Sequence, residues 1–239
     1  MPTIRSNLSI PLNELSRIAD DQKEVDQTKQ RDSSKFRPLC VKCGVFGTQD
    51  GSGYAEFGNT RVLAQIFGPD GDGKWEDSYA KITLNLKGVE DETKLAEYRA
   101  EIISCISSVI FVQKYPGKVI DIEITVISDD GGALSTALTA VSLALAHSGI
   151  EHVGLTTSAH VVLRNDEYIT DPSTSESEGV IGGVTFSFVP NLGQSTGINL
   201  YGRVPIENVK NLLEFARQKA ISLVPVIHKA IVKSVDEMK

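Results

Sequence analysis

The clearest pattern in the chain is the segment 133–147, where Leu134, Ala137, Leu138, Ala140, Val141, Leu143, Ala144 and Leu145 leave almost no polar face. A helix that is apolar or small all round is buried on every side. Gly149 follows it, and glycine is the residue type that ends helices in the left-handed conformation. A second helical period starts at Asp91. It brings Leu95, Ile102, Ile106 and Val109 to one side with Arg99 nearby, and Tyr115-Pro116-Gly117 is expected to end it. A third helix opens at Pro205, where proline is tolerated, and its buried stripe is Ile206, Val209, Leu213, Ala216, Ala220, Leu223, Ile227 and Ile231. Pro225 inside it predicts a kink or a break.

The rest of the pattern is strand-like. Residues 37–46, 54–57 and 60–67 read as a β-meander, with turn chemistry in Gln49-Asp50-Gly51-Ser52-Gly53. At 79–86, Tyr79, Lys81, Thr83 and Asn85 alternate with Ala80, Ile82, Leu84 and Leu86, the mark of a half-buried strand. A strand at 119–127 follows the first helix, and further strands lie near 153–163, 168–170, 180–189 and 197–201. Residues 68–78 read as a loop. The order ββββ-α-β-α-ββββ-α predicts an α/β (α+β) fold: a mixed β-sheet with packed helices and one buried central helix. Residues 1–34 are polar and charge-rich. They read as an arm, partly disordered or docking, with a short apolar pattern of Leu8, Ile10, Leu12, Leu15 and Ile18. Residues 35–239 form the globular domain.

Composition adds limits. The chain has 239 residues, 41% of them hydrophobic, enough for a sizeable core. Its net charge of -7 disfavours a chain that grips nucleic acid alone, so any RNA contact is expected to be local or shared with partners. The 3 cysteines give no disulfide framework. Cys40 and Cys43 form a lone C-x-x-C with no second pair to complete a four-ligand zinc site, and read as ordinary strand residues. We expect no metal and no cofactor. No leader with a basic and an apolar region is evident, and no stretch reaches the length of a membrane span, so the expectation is a soluble, intracellular chain away from membranes.

Several segments in register resemble the RNase PH family. They are Gly51-Ser52-Gly53-Tyr54-Ala55-Glu56-Phe57-Gly58-Asn59-Thr60-Arg61 running on to Phe67-Gly68-Pro69, then Tyr115-Pro116 with Ile120-Asp121-Ile122-Glu123, and the Asp130-Gly131-Gly132 turn. Ala137-Leu138-Thr139-Ala140 through Ser148-Gly149-Ile150 and the Asp171-Pro172 turn complete the set, over residues 36–235. Within the family, Arg31-Asp32-Ser33-Ser34-Lys35-Phe36-Arg37-Pro38 and Asp171-Pro172-Ser173 with Glu176 and Glu178 resemble the non-catalytic RNA exosome ring subunit named for mRNA transport.

Active members of the family shorten RNA from its 3′ end with phosphate as the attacking group. That chemistry needs cations, hydroxyls or helix-terminal N–H groups for the anion, and acidic residues beside the scissile bond. The resemblance places Ala133 and Leu134 where active enzymes carry a Thr-Arg pair, and Ser177 and Gly183 where they carry two aspartates. A methyl and an isobutyl group bind no phosphate, and neither a hydroxyl nor a hydrogen serves as a general acid. Asp129 and Asp130 beside the helix start make the local charge unfavourable for an anion. Glu176 and Glu178 flank one aspartate position, so a shift of one residue would present a carboxylate there. Lys94 stands in for a further family arginine, as a point charge rather than a fork.

The candidate RNA contacts are Lys74, Trp75, Lys94 and Arg99. Against them stand the plainer readings: Trp75 packing on protein, Arg61 in a salt bridge, and a solvated Arg203, Lys229 and Lys233. The Ser173–Glu178 stretch reads as a turn with a capped helix start.

What the resemblance implies is a non-catalytic ring subunit that scaffolds a channel for 3′-to-5′ RNA processing and degradation. Its partners would be other RNase PH-like exosome ring subunits, cap subunits with oligonucleotide-binding modules, and RNA in the shared channel. Its location would be nucleus, nucleolus and cytoplasm. The competing reading is an active phosphate-dependent exoribonuclease.

Overall fold

The computed structural model describes residues 31–46, 51–71 and 78–237. Among them the chain runs through β1 (Leu39–Cys43), β2 (Gly51–Phe57), β3 (Thr60–Asp70), β4 (Lys81–Lys87), α1 (Glu92–Ser107), a 3-10 turn (Val112–Lys114), β5 (Val119–Ser128) and α2 (Ala133–Ser148). It continues with β6 (Thr157–Arg164), β7 (Glu167–Thr170), β8 (Gly182–Val189), β9 (Gln194–Gly202), α3 (Ile206–Ser222) and α4 (Val224–Glu237). The order is the one the hydrophobic pattern predicts. The last helix breaks at Leu223, two residues before Pro225, where a missing N–H and a ring clash forbid continuation.

The strands form two sheets rather than the single mixed sheet expected from sequence. The first has the order β1-β2-β3-β5-β4 and the second β7-β6-β8-β9. The first is mixed: β4 runs parallel to β5 and the other pairs are antiparallel. A parallel pair needs a crossover, and α1 supplies it. The second sheet is wholly antiparallel.

Helix α2 explains the split. Every residue from Ala133 to Leu145 is buried, which requires protein on all sides. Strands β1, β2 and β3 pack on one side of it and β6 and β8 on another. The second sheet turns its other face, with Ala159, Val161, Val184, Phe186 and Phe188, to Leu212, Ala216 and Ala220 of α3. Gly132 and Gly149 bracket α2, both in the left-handed region at φ 73 and 71.

Four local expectations change. Residues 51–53 open strand β2 instead of completing a turn, and a Cβ on Gly51 or Gly53 would lie 2.4 or 2.2 Å from the carbonyl oxygens of Ala144 and Ala140. These glycines let α2 lie directly on the strand. Helix α1 ends at Ser107, well before Tyr115. The Ser108 hydroxyl bonds the Cys105 carbonyl at 2.6 Å, and Val109 and Ile110 then drop into the core. Strand β3 runs on past Gly68 to Asp70, which pairs with Val119 after a register shift. Ile206 heads the stripe expected to be buried but is 89% exposed, as the first residue of α3.

Some expectations fall outside the described residues: the apolar pattern of the arm from Leu8 to Ile18, and Lys74 and Trp75. The compact unit begins at Ser33. Ser33 and Ser34 already belong to it, since their carbonyls accept hydrogen bonds from Thr170. No helix among the described residues is long and apolar enough to cross a membrane.

Candidate functional site

Two turns, 129–132 and 171–178, meet at the N-terminal end of α2, and one arginine ties them together. Arg37 and Asp171 are both buried, 6% and 0% exposed. The guanidinium forks onto the carboxylate, with Nε 2.9 Å from Oδ2 and Nη2 2.7 Å from Oδ1. Two of its three other N–H groups donate to the carbonyls of Asp130 at 2.7 Å and Gly131 at 2.9 Å, and Nη1 lies 3.6 Å from Asp130 Oδ2. A buried ion pair needs its other hydrogen-bonding capacity met, and here most of it is. Asp171 sits in the left-handed region at φ 48 and donates its N–H to the His160 carbonyl at 2.7 Å.

Thr60 closes the first turn from the other side. Its hydroxyl donates to the Gly131 carbonyl and accepts from the Asp130 N–H. The second turn carries a reciprocal cap: the Ser173 N–H donates to Glu176 Oε2 at 2.9 Å, and the Glu176 N–H donates to Ser173 Oγ at 3.2 Å. This is a capping box on a single turn. It confirms the capped start expected there, although the turn does not continue as a helix.

Together the turns border a cavity of about 380 Å³. Its lining includes Lys94, Glu97 and Tyr98 from α1, Asp129 and Leu134 at the start of α2, Ser177 from the second turn, and His160, Thr185, Asn199 and Tyr201 from the inner face of the second sheet. Residues from Lys94 to Tyr201 thus share one small space with the helix start, a size suited to a small ligand or a single nucleotide.

The charge balance is not that of an anion site. Lys94 is the one cation in the lining, against Glu97 and Asp129. Burial pushes the Tyr98 phenol up to about 12, and the carboxylates of Asp129, Glu97 and Asp91 add to the effect. Burial does the same for Tyr201, also to about 12, with Tyr98 contributing. His160 is held down at about 4, mainly by burial and also by Arg37, against the opposing pull of Asp171. At neutral pH the two phenols and the imidazole are therefore uncharged, and none is poised as a base.

The structure brings several of the residues singled out from sequence to this cavity. Leu134, Ser177 and Lys94 line it, while Ala133 is buried beside Leu134 at the helix start. Lys94 lies within the first turn of α1 rather than before it, and its N–H donates to the Asp91 cap at 3.2 Å. Gly183 lies just beneath the lining. A Cβ there would stand 2.7 Å from the Tyr201 hydroxyl, so the phenol fills the space a side chain at 183 would need. Tyr201 is fixed in that position by His160, whose Nε2 lies 2.9 Å from its oxygen. Glu176 is occupied by its cap, and neither it nor Glu178 lines the cavity.

Arg99 is exposed and reaches the Leu86 carbonyl at 3.5 Å, away from the lining. Arg61 pairs with Glu56 at 3.2 Å, the plainer of its two readings. Cys40 is exposed and Cys43 buried, on opposite faces of β1, so the C-x-x-C spacing does not bring the thiols together. Sequence reasoning missed His160, Tyr98 and Tyr201, which carry no motif, and the partnership of Arg37 with Asp171, although both belong to segments that carried the resemblance.

A family model described as "3' exoribonuclease family, domain 1" matches residues 35–151, the stretch from the entry segment through α2. The exosome complex component Rrp41 of Cenarchaeum symbiosum (strain A) is 30% identical over 193 residues, covering 72% of this chain and 76% of that protein. The chain belongs to the RNase PH family. Human exosome complex component MTR3 is 25% identical over 247 residues, covering 90% of this chain and 89% of that protein. The crystal structure of rice Rrp46 has the same RNase PH fold, with a TM-score of 0.76 at 19% identity, over 84% of this chain and 98% of that one.

Proposed function

We propose that this RNase PH-family chain is a non-catalytic ring subunit of the RNA exosome, which shapes the path of RNA without cutting it. The observation that carries the reading is the lining of the cavity. At the positions where the resemblance places the phosphate-binding arginine and the two aspartates of active enzymes, this chain offers Leu134, Ser177 and a phenol over Gly183, and the one cation of the lining, Lys94, is outnumbered by Glu97 and Asp129. The relatives named as exosome components support the assembly it enters.

On this reading its neighbours are other RNase PH-like ring subunits, side by side with it, and cap subunits bearing oligonucleotide-binding modules. RNA passes through the shared channel toward a separate nuclease. A location in nucleus, nucleolus and cytoplasm belongs to the same proposal.

The test is phosphorolysis by the purified full-length chain. It is incubated with inorganic phosphate, magnesium and an RNA bearing a single-stranded 3′ end, and nucleoside diphosphates are measured. None should form above a no-protein control. Diphosphate release that scales with protein would establish the competing reading, an active phosphate-dependent exoribonuclease.

A further inference from the structure

Four strands stand at the edges of the two sheets: β1, β4, β7 and β9. Natural proteins guard such edges with charge, proline or very short strands, because the unpaired N–H and C=O groups invite another chain. Strand β1 carries Lys42, β4 carries Lys81 and Lys87, and β7 is only 4 residues long and carries Glu167. Strand β9 differs from all three. It has 9 residues, Gln-Ser-Thr-Gly-Ile-Asn-Leu-Tyr-Gly, with neither a charge nor a proline.

The open groups of β9 can be assigned. Arg203 donates its N–H to the Ile181 carbonyl, in step with the Gly183–Tyr201 and Thr185–Asn199 pairs. Hydrogen-bonded and non-bonded pairs alternate along an antiparallel ladder. Asn199 and Tyr201 therefore aim their main chain at β8, and Ile198, Leu200 and Gly202 aim theirs at the open edge.

The side chains at these positions are apolar and uncovered. Ile198 and Leu200 are 47% and 45% exposed. They lie on the face that carries Phe186 and Val184, their cross-strand partners. Beside them Phe186, Ile206, Val209 and Leu213 line a groove of about 710 Å³. The opposite face of β9 is already taken, since Gly197 lies against Glu101 and Cys105 of α1.

We propose that β9 receives an extended segment of a neighbouring, different protein chain, which adds as a fifth strand to β7-β6-β8-β9 and places alternate apolar side chains in the groove beside α3. Only an extended segment meets both demands, main-chain partners along the edge and apolar side chains at every second position. A helix laid over the groove would leave the edge groups unpaired. The net charge of -7 disfavours a second copy as the occupant. The inference rests on the reading that the chain enters an assembly of different subunits.

The experiment is hydrogen exchange with residue-level readout on the full-length chain, alone and in the complex recovered from its own cells through a tag. In the free chain the amides of Asn199 and Tyr201 exchange slowly and those of Ile198 and Leu200 rapidly. In the complex Ile198 and Leu200 should slow by on the order of a hundred-fold or more. A second arm uses Leu200→Pro, which removes only an outward N–H, and Ile198→Lys. Both should leave the free chain's melting temperature near wild type and reduce the recovered partners at least about ten-fold. A complex of different chains in which Ile198 and Leu200 still exchange rapidly, or variants that retain every partner, would overturn the proposal while leaving the assembly reading intact. A chain recovered alone, or only with copies of itself, would overturn both.

Discussion

The Tyr201 hydroxyl lies 2.7 Å from the point where a side chain at Gly183 would begin, and the two residues are direct partners across β8 and β9. Glycine and tyrosine thus act as one unit, the absence of one side chain making room for the other. The carbonyl of Val161 and a methyl of Val162 close the remaining space at 2.8 Å each.

Gly183→Asp should therefore be poorly accommodated alone. Overpacking of this kind costs about 1–3 kcal/mol. Adding Tyr201→Gly should recover part of that loss, and a double-mutant cycle by chemical denaturation should give a coupling of about 1–3 kcal/mol. Additive effects would mean that the phenol does not hold this space. The double variant should still release no nucleoside diphosphate, because Ala133 and Leu134 remain where the anion would bind.

Arg37 and Asp171 make a second coupled pair, 134 positions apart in sequence. Asp171→Ala leaves a buried guanidinium without its carboxylate and should destabilise the domain by about 3–5 kcal/mol in urea titration. Arg37→Lys should also destabilise it, since an ammonium cannot hold Asp171, Asp130 and Gly131 together as a fork does. Stability unchanged in either variant would show that the turns hold together without the pair.

His160 gives a pH signature. Its folded-state value of about 4 lies below the ordinary 6.5, mainly because of burial. The unfolded chain then binds a proton that the folded chain refuses, so this group's contribution is fully present above pH 6.5 and is lost as pH falls from 6.5 toward 4. Melting temperatures of His160→Gln should fall less steeply than wild type across that window. Parallel curves would place the acid sensitivity elsewhere.

Gly53→Ala tests the contact between β2 and the buried helix. The new methyl would lie 2.2 Å from the Ala140 carbonyl, within rigid backbone on both sides. The loss should be at least about 1–3 kcal/mol, more than for an alanine placed in an open strand. A melting temperature equal to wild type would show that α2 can move off the strand.

The buried helix was readable because an all-apolar 3.6-residue period has one physical meaning. The glycines at 51 and 53 misled because the same residue signals a turn or a close approach, and only the position of α2 decides which. Ile206 fits the period of its helix, but periodicity does not say whether the first turn is covered. At the site, the start of α2 and Ser177 were legible through the resemblance. The plug of Gly183 by Tyr201 was not, because it depends on the register of β8 against β9. The Arg37–Asp171 pair was hidden for a similar reason: two opposite charges far apart in sequence say nothing of their contact.

The central claim is that this chain serves as one scaffold among different subunits, and the most direct measurement is the native mass and subunit composition of the complex it enters in its own cells. The account requires a large assembly holding one copy of this chain among several different RNase PH-like chains. A homohexamer of this chain alone would contradict it.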